Sequence, residues 1–208
     1  LGDVYKGLTL LAAFVLILET SWGKISIPLT NKTNNLFTVL ISILVAYLTL
    51  VFGGQLIVSY LQKIPIIDLL KLLAATSAPV FANSTSINFI TFVIMVPFIE
   101  TQGLFVRGFD LVVTFFNKTF GTNLEINKQN LFKPTMWLII FGISLMFLLL
   151  HVTAKGIENP AALLLVFLMA TISLILVCWF EESRPAIGFH ILANLIGYVG
   201  VFSIAGII

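Results

Sequence analysis

Apolar stretches of about twenty residues recur along this chain, the length a helix needs to cross a bilayer core of about 30 Å. The stretches are continuous rather than alternating, which fits helices and not the strands of a barrel. Of the 208 residues, 59% are hydrophobic and only 10% are charged, with a mean hydropathy of +1.11. No soluble domain of this size needs so much apolar surface. The expected fold is all-α: a polytopic transmembrane bundle of about six to eight helices. It is expected to form a single integral-membrane domain over residues 1–208.

The first candidate span runs from about Leu8 to Trp22 and is short, with Glu19 near its end. The second, from about Leu36 to Leu61, is interrupted by Gly53-Gly54-Gln55. The stretch from Gln62 to Phe81 sets Pro65, Asp68 and Lys71 among leucines and suits a helix lying along the interface. The third span, Ile87 to Phe116, is too long for one simple crossing. Pro97 and Gly103 inside it predict a kink or two half-helices. A polar loop follows from Asn117 to Pro134. The remaining spans are about Thr135 to Thr153, Pro160 to Phe180 and Pro185 to Ile208, and Pro160 and Pro185 suit first-turn positions. The chain opens at Leu1, and no signal-peptide pattern separates from its first apolar segment.

A net charge of +2, with the basic residues scattered through loops, gives no phosphate-binding patch and no nucleic-acid partner. Lys6, Lys63, Lys71 and Lys155 fall on one side of a six-span topology. Lys24, Lys32, Lys118, Lys128, Lys133 and Arg184 fall on the other, too even a division to orient the chain. Cys178 is the single cysteine, so neither an intrachain disulfide nor a cysteine metal cluster can form. Sequons occur at Asn31, Asn83 and Asn117. The same topology puts the Asn31 and Asn83 loops on opposite sides, so the three are read as chance.

Against this background a few polar residues stand out. His151 ends the run Met136 to Leu150, and His190 and Asn194 lie within Pro185 to Ile208. Glu100 and Arg107 sit in the third span. A charged group at mid-bilayer costs roughly 2.5–3.5 kcal/mol or more, so such residues are functional candidates by default. On an α-helix, residues four apart share a face, as Phe147 with His151 and His190 with Asn194 do. Glu100 and Arg107, two α-helical turns apart, are expected to share one as well. A carboxylate, two imidazoles, an amide and a guanidinium are the parts for activating water and stabilising an oxyanion. The structural alternative for each histidine is a bond to a neighbouring carbonyl. His151 lies near the end of its span and His190 near the start of its own. A full crossing between them puts them toward opposite faces unless helices are short or a loop dips inward.

The order Glu…Arg, Phe-x3-His, His-x3-Asn resembles the CAAX-protease and bacteriocin-processing family, also called Abi, which includes the Ras-converting enzymes. The second and third motifs match in full, at Phe147/His151 and His190/Asn194, and the lead-in Ser183-Arg-Pro-Ala-Ile-Gly-Phe-His190 is similar too. The resemblance covers about Val96 to Ile208, with a family-like core at about 87–208 and N-terminal helices at 1–86. It implies that Glu100 and His151 activate water while His190 and Asn194 stabilise the oxyanion, with Arg107 and Phe147 in support. The first motif departs from Glu-Glu-x3-Arg. Anchored on Glu100, the second Glu becomes Thr101 and Arg107 lies seven residues on. Anchored on Arg107, the catalytic position falls on Gln102, which cannot accept a proton from water and implies a dead enzyme. Glu100 is preferred as the one acid in the segment. The Glu181-Glu182-Ser-Arg184 string lacks the motif's spacing and is read as an interface marker.

The expected function is intramembrane, glutamate-dependent peptide hydrolysis near the membrane surface. The partners are the lipid bilayer and a peptide or membrane-protein substrate. No cofactor is implied, zinc held by Glu100, His151 and His190 being the alternative. The rival readings are an inactive family member serving as scaffold, immunity or assembly subunit, and a small transporter using the polar cluster.

Overall fold

The computed structural model describes residues 35–63, 65, 90–155 and 160–204. The expected span Leu8–Trp22 and nearly all of the amphipathic stretch after Gln62 lie outside them, as do Asn31 and Asn83. Among the described residues every regular element is helical. Three helices among the described residues, Leu36–Gly54, Pro134–Val152 and Leu163–Phe180, are long and apolar enough to cross a membrane.

Helix α1 (Leu36–Leu48) begins at Asn35, whose Oδ1 accepts the Phe37 N–H at 3.1 Å. That is the usual way a helix start satisfies an amide with no intrahelical partner. The rod continues through the π-helical segment π1 (Thr49–Gly54) into α2 (Gln55–Gln62). The Gly53-Gly54 interruption is therefore a widened turn within one helix, not a break. Thr49 contributes to it: its hydroxyl donates to the Val45 carbonyl at 2.8 Å and competes with the backbone ladder.

The second rod comprises π2 (Ile90–Met95), α3 (Val96–Glu100), π3 (Thr101–Gly108) and α4 (Phe109–Phe120). The sequence predicted a kink or two half-helices here. The described backbone stays right-handed helical through the junctions at Met95, Glu100 and Gly108, so no break divides it there. Pro97 carries no N–H and crowds the preceding turn, and the rod meets this by widening over π2 rather than parting. It ends at Gly121, whose φ of 64° is the left-handed conformation that glycine adopts at little cost.

The polar loop after α4 is organised by Asn117. Its Nδ2 donates to the Leu124 carbonyl, and its Oδ1 accepts from the Leu124 N–H and the Thr122 hydroxyl, all at 2.8 Å. A 3-10 turn (Asn130–Phe132) leads into α5 (Pro134–Lys155), followed by α6 (Pro160–Phe180) and α7 (Arg184–Ile204). Pro134, Pro160 and Pro185 all lie in first turns, where a missing N–H costs nothing.

Helix α5 packs along α6, α7 packs on α6 and α1, and π2, α3 and π3 lie against α7. Met136, Ile140, Ile143 and Phe147 of α5 are buried, whereas Leu138, Phe141, Leu145 and Leu149 are exposed. Inner and outer stripes are thus equally apolar, as expected of a helix bounded by protein on one side and lipid on the other. Close approach is set by small residues. A Cβ on Gly54 would come within 2.6 Å of Leu165 Cδ2, and one on Gly188 would overlap Ile43. The hydroxyls of Ser144 and Thr171 meet at 3.0 Å across the α5–α6 interface. Trp137, in the first turn of α5, and Trp179, in the last turn of α6, are both exposed. Lys128 lies 4.0 Å from the Trp179 ring centroid. Amphipathic indoles of this kind suit a membrane–water boundary.

Candidate functional site

Glu100 closes α3, Thr101 opens π3, and His190 lies on α7, which packs on both segments. The Glu100 Oε2 is 3.6 Å from His190 Nε2, and each side chain is at most 3% exposed. That is too long for a direct hydrogen bond and short enough for one oxygen to be shared between them. On the ring's other side, Thr101 Oγ1 is 3.2 Å from His190 Nδ1. Two consecutive residues of one helix thus address the two nitrogens of a single imidazole.

His151 enters through Phe147. A helical side chain leans back over its own preceding turn, and His151 Nδ1 lies 2.9 Å from the Phe147 carbonyl. The His151 and Phe147 rings are 4.2 Å apart between centroids, and Phe147 and His190 meet edge-on at 6.5 Å. Phe105 of π3 packs edge-on against Phe147 at 4.8 Å. The fully buried Phe147 ring is therefore a shared wall for both histidines. The carbonyl bond expected as the structural alternative is present at His151. Asn194 follows His190 by one turn of α7 and is half-buried.

Gln102 points elsewhere. Its Nε2 donates to Ser183 Oγ at 2.8 Å, on the side of a cavity of about 540 Å³. Arg107 lines the same cavity with Asp110, Glu181 and Glu182. This corrects the expected shared face of Glu100 and Arg107, which assumed α-helical spacing. Residues 101–108 are π-helical, with more residues per turn than an α-helix, and Arg107 falls on the side of Gln102 rather than that of Glu100. The close approach this requires is visible at Gly108, where a Cβ would sit 3.3 Å from the Gly103 carbonyl oxygen. The Glu181–Ser183 turn joins α6 to α7. There Glu182 pairs locally with Arg184 at 2.6 Å, and Glu181 holds a left-handed φ of 55°.

Thr101 is the residue that sequence reasoning passed over. Its signal was its place: it stands where the resemblance puts the second glutamate. Among the described residues, no three His, Cys, Asp or Glu side chains gather as a group able to hold a metal ion. No protein-family model, curated protein or solved structure matches the chain.

Proposed function

We propose that this chain is a multi-pass integral membrane protein, a bundle of six to eight helices, that hydrolyses a peptide bond within or near the bilayer through Glu100. The observation that carries the reading is the buried Glu100–His190 pair at 3.6 Å. A carboxylate and an imidazole sunk side by side in an apolar bundle are expensive, and adjacent roles in one hydrolysis give that expense a purpose. The resemblance to CAAX-type proteases supplies the reaction class.

In this reading Glu100 takes a proton from water as its oxygen attacks the scissile carbonyl carbon. The carbonyl π electrons move to oxygen, and the oxyanion accepts hydrogen bonds from His190 and Asn194. Collapse of that intermediate breaks the C–N bond, and the proton held by Glu100 passes to the leaving amine. His151 assists at the water, and Phe147 keeps its ring in place. The position of Gln102 against Ser183 supports Glu100 over Gln102 as the base, and so favours an active enzyme over an inactive scaffold. Cleavage of peptides by the purified, lipid-reconstituted protein, compared with its Glu100→Gln variant, tests the proposal. Cleavage that the substitution leaves unchanged contradicts it.

A further inference from the structure

We propose that the two histidines are locked in opposite tautomers, His151 as Nδ1–H and His190 as Nε2–H, and that Thr101 is the positioning residue that sets the second. The roles this gives the rings rest on the peptidase reading above; the tautomers themselves do not.

His151 is fixed by a group that can only accept. The Phe147 carbonyl lies 2.9 Å from its Nδ1, so that nitrogen carries the proton and the neutral ring presents Nε2 as an acceptor. The local geometry of α5 alone achieves this, since the carbonyl is one helical turn back.

His190 is fixed by a group that must donate. Thr101 is 0% exposed, and its contact with His190 Nδ1 is the hydrogen bond its hydroxyl makes among the described residues. Were Nδ1 protonated, Thr101 Oγ1 would accept and its own O–H would have no acceptor among the described residues, a costly state for a buried donor. The hydroxyl therefore donates to Nδ1, and the neutral ring holds its proton on Nε2. That proton faces Glu100 Oε2, 3.6 Å away. This Oε2 contact is too long for a direct hydrogen bond, so the choice of tautomer rests on Thr101.

One residue type thus serves two opposite purposes. His151 offers a lone pair, as an assistant to the base needs, and His190 offers a proton, as an oxyanion needs.

The chain has only two histidines, so the test can be read directly. The full chain is labelled with 15N-histidine, placed in lipid bilayers and examined by solid-state NMR on the alkaline side of the imidazole titrations. His151→Gln assigns the two rings. The expected spectrum has a protonated Nδ1 on His151 and a protonated Nε2 on His190. Thr101→Ser, which keeps the hydroxyl, retains it. Thr101→Val, which removes the hydroxyl at equal size, mixes the two forms at His190 and leaves His151 unchanged. A His190 protonated at Nδ1, a persistent imidazolium, or a His190 spectrum indifferent to Thr101→Val overturns the proposal. Should the valine variant not fold, the wild-type and serine spectra decide it. No substrate is present, so failure of the peptidase reading leaves this result intact, and the reverse also holds.

Discussion

Phe147 and His190 lie on different helices and meet edge-on, 6.5 Å between ring centroids. His151 packs on the same phenyl ring at 4.2 Å. Two imidazoles that share one neighbour cannot lie at opposite faces of a bilayer core about 30 Å thick. The end-of-span position of His151 and the start-of-span position of His190 are reconciled by side chains. His151 leans back a turn toward Phe147, and Phe147 reaches across to α7.

Phe147→Ala should therefore do more than weaken the core. Emptying a fully buried phenylalanine site costs about 3–5 kcal/mol in well-packed interiors. Here the loss removes the wall behind both histidines. Thermal unfolding in detergent should show a large drop, and Phe147→Leu, which fills most of the space, a smaller one. Equal melting of wild type and the alanine variant would show that this ring does not organise the site.

The all-helical character and three apolar spans were legible in the sequence because composition carries them. The edges of α5 and α6 follow apolar runs, with Pro160 opening the second and Pro134, read as the end of the loop, in fact opening the first, and Glu100, His151 and His190 stand out against hydrocarbon. The π-helical segments were not legible. Gly53-Gly54 and Pro97 mark places where the ladder is disturbed, yet the same residues fit a break, a kink or a widened turn. The structure takes widened turns, and these segments pack against α6 and α7. That choice moved Arg107 to the face of Gln102 and away from the face assigned to it by α-helical spacing. Thr101 escaped notice because a threonine in a helix is ordinary until its partner, 89 positions along the chain, is known.

Asn117 stands in a glycosylation sequon, but its amide is committed to the loop through Leu124 and Thr122. Expression in a glycosylating host should give no carbohydrate at this position, read by mass spectrometry of the peptide that contains Asn117. Asn117→Asp should destabilise the loop by about 1–3 kcal/mol, because the Leu124 carbonyl loses its donor and faces a carboxylate. A glycan on Asn117 in folded protein would show that the loop does not hold it this way.

Gly54 lets α6 approach the first rod, where a Cβ would meet Leu165 at 2.6 Å. Gly54→Val should separate the helices or force side chains off their rotamers, costing about 1–3 kcal/mol. Gly53→Ala, at a position with open space around it, is the control. Equal losses in chemical denaturation for both variants would mean that packing against Leu165 does not account for the effect.

Elemental analysis of purified, active protein should find no stoichiometric metal, and chelators should not inactivate it. Zinc bound one to one, with activity lost on its removal and restored on its return, would instead make Glu100, His151 and His190 metal ligands and replace the water-activating role given to Glu100.

The most direct test of the account is peptide cleavage by lipid-reconstituted wild type and Glu100→Gln protein, both checked for folding. The substitution preserves size but removes the base beside His190. The account predicts a loss of about 10²–10⁴-fold in cleavage rate with unfolding temperature little changed. Undiminished cleavage by Glu100→Gln would contradict the role assigned to Glu100 and, with it, the central claim.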